Sequence, residues 1–369
     1  MQTAKDVVQA DLNLIANSLG AEFAQMAGRS VLIAGGAGFL GYYLVQGALH
    51  WGRLNPGLSP IRITILDNFV RGMPAWLEPL RSDLNLRLEK HDITQSLPPD
   101  LGDHQYLIHA ASIASPIYYR RCPIETMDAN VGGLRHMLDY CQAQTESGKA
   151  IEGMLFYSSS EIYGDPTPEN IPTSETYRGS VSCTGPRACY DESKRYGETL
   201  CVNFAQQRGI PVKMARPFNN YGPGLKITDR RVIPDFARDI MAGRDIVMLS
   251  DGSPKRTFCY VADAVVGYYK ILVRGQPGEP YNIGVENPEI SMADLAEKMV
   301  GIARELGYQG QVVRQKSQDP DYLVDNPNRR CPIISKARTE LGYNPVVPLD
   351  DGLRRSLIWY TENREAADA

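Results

Sequence analysis

"SVLIAGGAGFLG", residues 30–41, decides how the rest of the chain is read. Four apolar residues run into Gly35-x-x-Gly38-x-x-Gly41, and an apolar helical pattern follows through "FLGYYLVQGALHW". The run reads as a buried strand. The glycines permit a tight turn whose backbone amides can approach a pyrophosphate at the amino end of the next helix. Outward from this turn, strand-like runs recur at "IRITILD" (61–67), "LRLEKHD" (86–92), "QYLIHAAS" (105–112), "GMLFYSSS" (153–160) and "PVKMARP" (211–217). Helical patterns fill the intervals, among them 125–145 and 188–208. Strand and helix alternating in this way predict an α/β fold, a doubly wound parallel sheet with helices on both faces. Ligands of such sheets lie beyond the carboxyl ends of the strands.

Three regions are expected. Residues 1–29 form an N-terminal helical extension, with Val7, Val8, Leu12, Leu14 and Ile15 at helical spacing. That spacing predicts an amphipathic helix packed on the main body or on another subunit. Residues 30–216 form a Rossmann-like dinucleotide-binding domain, with a return of chain near 256–275. Residues 217–369 form mainly a smaller α/β substrate domain, with helices at 291–306 and 350–364. Hydrophobic residues make up 43% of the 369 and charged ones 22%, an ordinary globular balance. A net charge of −4 provides no basic footprint for nucleic acid. Seven scattered cysteines without a Cys-x-x-Cys pair, and five dispersed histidines, argue against a disulfide framework and a metal site. No apolar run approaches the ~20 residues of a membrane span. Asp6 and Asp11 interrupt what a signal peptide would need, so a cytoplasmic setting is expected.

The chemistry-bearing residues gather at the predicted strand ends. Asp67 ends the second strand, where a carboxylate can accept both hydroxyls of an adenosine ribose and repel a 2′-phosphate. This favours NAD, although Arg71 close behind would soften the preference. Asp92, at the end of the third strand, suits the adenine amine. Phe39, Leu40, Asn68 and Ala110 complete the candidate cofactor set. In "CYDESKRYGE" (189–198), Tyr190 and Lys194 stand one helical turn apart and share a face. A phenol with a pKa near ~10 is a poor base, and a neighbouring ammonium and an oxidised nicotinamide would both favour its phenolate. Ser159 adds a hydroxyl that can share the substrate's proton.

With these motifs the chain resembles the extended short-chain dehydrogenase/reductase family, the NAD-dependent sugar-nucleotide epimerases and dehydratases, over residues 30–360. "HAASIASP" (109–116), "SSSEIYGDP" (158–166), "GPRACYDESKR" (185–195) and "PVVPLDDGL" (345–353) are most similar to its UDP-glucuronic acid decarboxylase (UDP-xylose synthase) branch. The resemblance implies NAD as cofactor, a UDP-sugar or other NDP-sugar as substrate, and a homodimer paired through the helices at 125–145 and 188–208. It maps Ser159, Glu161, Tyr190 and Lys194 onto the catalytic set and Arg256 onto the active-site arginine. Asn219 and Arg330 map onto groups that hold the nucleotide diphosphate, and Ser160 and Arg231 join the candidate substrate set. The N-terminal helix, the long segment 318–334, Ile333 in place of an aspartate and Leu249 in place of an aromatic depart from that branch.

Glu161 separates the possible reactions. Simple 4-epimerases need no carboxylate at this position. In 4,6-dehydratases the stretch reads Asp-Glu, whereas Ser160 here is a very weak acid. Decarboxylation of a 4-keto hexuronic acid needs neither an acid at 160 nor a leaving hydroxyl. The expected activity is therefore NAD-dependent decarboxylation of UDP-glucuronic acid to UDP-xylose. A 4-epimerase or a 4,6-dehydratase is the alternative within the family. A non-catalytic dinucleotide sensor is the alternative from another class, disfavoured by the intact Ser-Tyr-Lys set.

Overall fold

The computed structural model describes residues 2–317, 324 and 326–363. Its central sheet has seven parallel strands: β1 (Ser30–Ala34), β2 (Arg62–Asp67), β3 (Leu86–Lys90), β4 (Tyr106–His109), β5 (Gly153–Tyr157), β6 (Val212–Pro217) and a seventh, Pro280–Ile283. They lie side by side in the order β3, β2, β1, β4, β5, β6 and the seventh, each parallel to its neighbours. The winding reverses between β1 and β4, which opens a crevice beyond the carboxyl ends of those strands.

Successive residues of a strand face opposite sides of a sheet, and here both sides are buried. Val31, Ile33, Ile65, Ile108 and Leu155 enter one core, closed by α3 (Phe39–Leu54), which follows α1 (Ala4–Ser18) and α2 (Gly20–Met26), and by the helix Val261–Arg274. Leu32, Leu66, Leu107, Met154 and Phe156 enter the other, closed by the helices Gly133–Glu146 and Ala188–Arg208. Burial on two faces is why these strands read as unbroken apolar runs.

The six expected strands are present; β2 and β6 end at the expected residue, and β1, β3, β4 and β5 end two or three residues earlier, where the chain turns onto the rim. The seventh was not foreseen. It pairs with β6, Tyr281 opposite Ala215, beyond the expected return at 256–275, which holds the helix Val261–Arg274 packed over β5 and β6. Four residues beginning with proline carry no readable period. Past β6, Lys255–Arg256 lies between Ile290–Ser291 and Arg329–Arg330 in a small three-stranded ladder. The late helices run Met292–Arg304 and Leu349–Glu362. Residue 364 of the expected last helix lies outside the described residues, as do 318–323 and 325 of the long segment. No helix among the described residues is long and apolar enough to cross a membrane.

α1 (Ala4–Ser18) starts at Thr3, whose hydroxyl and backbone exchange bonds with Asp6 in a capping box. It buries Val7, Leu12 and Ile15 against α3 and the helices Val261–Arg274 and Leu349–Glu362, so its apolar face belongs to the main body. Asp11 sits on that face, fully buried. It accepts hydrogen bonds from the hydroxyls of Tyr43 (2.6 Å) and Tyr260 (2.6 Å) and from Arg355 (2.7 Å). Burial raises its carboxyl pKa, and the three donors work the other way. Asp11→Ala would leave a guanidinium and two buried hydroxyls without their acceptor. A loss of about 3 kcal/mol of unfolding free energy is expected from denaturant titration. A change under about 0.5 kcal/mol, the size of an ordinary surface substitution, would show that the network contributes no stability.

Candidate active site

The crevice between β1 and β4 widens into a cleft of about 1630 Å³. A site for one small molecule measures roughly 300–1,000 Å³, so this cleft has room for two ligands side by side. All of the sequence-selected residues line it except Gly41. The candidate dinucleotide half lies around the glycine turn. Gly35 has φ +78°, and a Cβ there would stand 2.6 Å from the Ala111 backbone, where the chain leaves β4 through Ala110. At Gly41 a Cβ would meet the Gly36 carbonyl at 1.9 Å, so this glycine serves helix packing and does not face the cleft. The amino end of α3 has no side-chain cap. Its first N–H groups are left for an anion, with Phe39 and Leu40 beside them on the wall.

Asp67 ties this turn to the end of β2. One of its oxygens accepts from the Ala37 amide (3.1 Å) and the other from the Phe69 amide (2.9 Å). Burial raises its pKa against those two bonds. Asn68 accepts from the Val70 amide at 3.0 Å. Asp92 is exposed on the rim and accepts from the amide and hydroxyl of Thr94, which depress its pKa. Arg71 is turned towards Asp229 at 3.6 Å and lies 5.8 Å from the centre of the Tyr118 ring.

At the end of β5, Ser159 accepts from the Glu161 amide at 3.1 Å. Burial pushes the Tyr190 phenol up to about 12, and the Ser159 hydroxyl pulls it back. The Lys194 ammonium lies 5.6 Å from the centre of the Tyr190 ring and donates to the Tyr157 carbonyl at 2.8 Å. Burial pushes it down to about 7. The sequence alone suggests a cation aimed at the phenol. In the fold that cation is tied to the strand end, because the carbonyl there is a buried acceptor needing a donor.

Glu161 begins the next turn of chain, and two arginines close on it. Arg330 reaches both of its oxygens, with Nη2–Oε2 at 2.8 Å, and Arg187 bonds to Oε2 as well. Burial opposes the charge of Glu161. Arg187 and then Arg330 outweigh that cost and hold the carboxyl well below the usual range. Arg256, paired in register with Arg330, gives its terminal nitrogens to the carbonyls of Lys255 (2.8 Å), Asn328 (3.2 Å) and Pro327. Burial, then the charge of Arg330, pushes it down to about 9. Two guanidiniums thus pair with Glu161, a third lies near enough to add its charge, and the buried Asp191 carboxylate stands 4.0 Å from the Nε of Arg187. The Nε atoms of Arg187 and Arg330 are buried with no hydrogen-bond partner among the described residues.

Ser160 is buried beside this cluster. Asn219, at φ +43°, donates to the Thr257 carbonyl at 2.8 Å. Arg231 donates to Asp229 and lies 5.8 Å from the centre of the Phe39 ring, nearer the glycine turn than a substrate-only role implies. Two wall residues were not singled out from sequence. Arg187 stood in the quoted "GPRACYDESKR" stretch, three residues before Tyr190, where an arginine reads as an exposed helix start. Tyr119 stacks on Tyr190 with ring centres 5.0 Å apart, and no sequence pattern announces that contact.

Residues 31–284 match the family model described as "NAD dependent epimerase/dehydratase family". UDP-glucuronic acid decarboxylase 1 of Xenopus tropicalis is 33% identical over 341 residues, 91% of this chain and 73% of that protein. UDP-glucuronic acid decarboxylase 6 of Arabidopsis thaliana is 35% identical over 324 residues, 88% of this chain and 86% of that protein. Among solved structures, DesIV, a dTDP-glucose 4,6-dehydratase from Streptomyces venezuelae with NAD bound, superposes with a TM-score of 0.76. It is 26% identical and the match covers 91% of this chain and 98% of that one. An open glycine-turn helix end, a carboxylate at the end of β2 and a Ser-Tyr-Lys cluster on a sheet wound in this order agree with those likenesses: the chain belongs to the NAD dependent epimerase/dehydratase family, and NAD is its cofactor.

Proposed function

We propose that this protein binds a UDP-sugar and decarboxylates UDP-glucuronic acid to UDP-xylose. The observation that carries the reading is the surplus of positive charge around Glu161. Three buried guanidiniums against two carboxylates, Glu161 and Asp191, suit one further anion, and a hexuronic acid brings one on carbon 6. About 20% of the Glu161 side chain is open to the cleft, so an incoming carboxylate can reach the cluster. Relatives of 33–35% identity named UDP-glucuronic acid decarboxylase support the same choice. Ser160 offers no acid for loss of a hydroxyl, which weighs against a dehydratase, and a simple epimerase has no use for the cluster.

Bound NAD supplies the acceptor for the hydride of carbon 4 and returns it at the end. Tyr190 takes the proton of the carbon-4 hydroxyl, and Ser159 shares it. The resulting β-keto acid loses carbon dioxide. The carbon 5–carbon 6 electron pair moves into the carbon-4 carbonyl, whose enolate oxygen faces Tyr190 and Ser159. Carbon 5 gains a proton, and reduction of carbon 4 restores the alcohol. Arg187 and Arg330 orient the carboxylate. Arg256, bound to the 326–328 backbone, holds the segment that brings in Arg330. Glu161 keeps the cluster from gripping an anion so tightly that its departure as neutral carbon dioxide becomes costly. The same reading takes the chain as a cytosolic homodimer, with exposed Ile124 and Tyr196 on the pairing face.

Incubation with UDP-glucuronic acid should release carbon dioxide and a UDP-pentose in equal amounts. Formation of UDP-galacturonic acid would instead assign a 4-epimerase, and inertness towards a panel of sugar nucleotides would favour a sensor. Tyr190→Phe should lower turnover on the order of 10³-fold with NAD still bound; undiminished turnover would remove Tyr190 as the base. Glu161→Gln should reduce stability at pH 7 by about 3 kcal/mol. The folded Glu161 pKa lies below its ordinary 4.5. Its stabilisation is therefore complete above that value and lost as pH falls through the folded pKa. The gap between the variant and the parent should close on acidification, and a gap independent of pH in denaturant melts would refute the ion-pair assignment.

A further inference from the structure

After Gly224 the chain does not return directly to the second half of the molecule. Residues 225–231 cross the mouth of the cleft as a strap, rooted by buried Leu225 and Ile227 and by the Tyr360 hydroxyl, which donates to the Leu225 carbonyl at 2.7 Å. From there the strap is fastened to the opposite rim. Lys226 donates to the Arg71 carbonyl at 2.9 Å. Tyr118 donates to the Thr228 carbonyl at 3.2 Å, and Ser115 to the Asp229 carbonyl at 2.6 Å. The Asp229 carboxylate, 3% exposed as a residue, pairs with Arg71 at 3.6 Å and with Arg231.

The partners decide what lies under the strap. Arg71 follows the ribose carboxylate Asp67 by four residues. Ser115 and Tyr118 lie in the segment that leaves β4. These two segments flank the glycine turn, and Arg231 adds the ring of Phe39 at the start of α3. The fastening therefore crosses the dinucleotide half, while the arginine cluster around Glu161 lies towards the other end. A dinucleotide seated on the glycine turn would lie beneath these fastenings.

We propose that Asp229 is the keystone of a clasp that retains the dinucleotide through the whole reaction cycle. The reason for retention rests on the function proposed above. If the reduced dinucleotide escapes after carbon 4 has given up its hydride, the ketone cannot be reduced, and each escape leaves one 4-keto sugar nucleotide. The clasp opposes that loss with two carboxylate–guanidinium contacts and three bonds to backbone carbonyls. Arg71 keeps 48% of its side chain exposed, so part of the fastening is open to salt screening.

The test measures NAD retention with no sugar nucleotide present. NAD-loaded protein is desalted into a solution containing an NAD-consuming enzyme, and the dinucleotide still bound is quantified over time after acid release. Asp229→Asn should release NAD at least about tenfold faster. Lys226→Ala, at a half-exposed position, should accelerate release by a smaller factor, and added salt should accelerate it in the parent more than in Asp229→Asn. Release rates in folded Asp229→Asn and Lys226→Ala that match the parent would overturn the clasp. If Asp229→Asn fails to fold, Lys226→Ala and the salt series decide alone, and an unchanged rate in both overturns it. During turnover of UDP-glucuronic acid the Lys226→Ala variant should also accumulate free reduced dinucleotide and ketone in equal amounts. Failure to turn over that substrate would count against the proposed function only, because retention is read without it.

Discussion

A single carboxylate holds together the parts of the molecule that matter most. Glu161 follows β5, Arg187 precedes the helix that carries Tyr190 and Lys194, and Arg330 comes from a short strand far along the chain. Without the Glu161 charge, three guanidiniums would be left with too little opposing charge in a partly desolvated site, an arrangement that costs several kcal/mol. With it, the rim of the sheet, the Tyr190 helix and the late ladder take up a single relation to one another. The same charge balance leaves the cluster one anion short, so the contact that organises the site also makes it receptive.

Burial sets the remaining electrostatics. It moves the Tyr190 phenol up and the Lys194 ammonium down, so burial disfavours the charged form of each. The phenol is then protonated at neutral pH and becomes a base only when positive charge is brought beside it.

Much of this was legible in the sequence, for reasons that differ by element. β1 and the glycine turn were readable because a strand buried on both faces must be apolar throughout and the turn cannot carry side chains. Asp67 and Glu161 were readable because a charge at the end of such a strand has no packing purpose. Pro280–Ile283 was not, since its place beside β6 is set by the helix Val261–Arg274 folding over the sheet and not by its own four residues. Arg187 looked like any arginine near a helix start until Glu161 appeared opposite it. The partnership of Arg330 with Arg256 exists only through the three-stranded ladder, whose strands lie far apart in sequence. Asp11 interrupted an otherwise apolar helical stripe, and sequence gave no hint that two tyrosines and an arginine would meet it.

That last network has a bearing on how the chain is made. Asp11 and Arg355 are 344 positions apart, and the α1 backbone at Ala4 also donates to Glu362. At roughly 5–20 residues per second, a ribosome would need on the order of tens of seconds to deliver the second partner after the first. During that interval the opening helix has an apolar flank and no finished surface to lie on. A helix made before most of its partners is thus among the last parts to settle, and in a living cell that delay is an opportunity for a chaperone to bind.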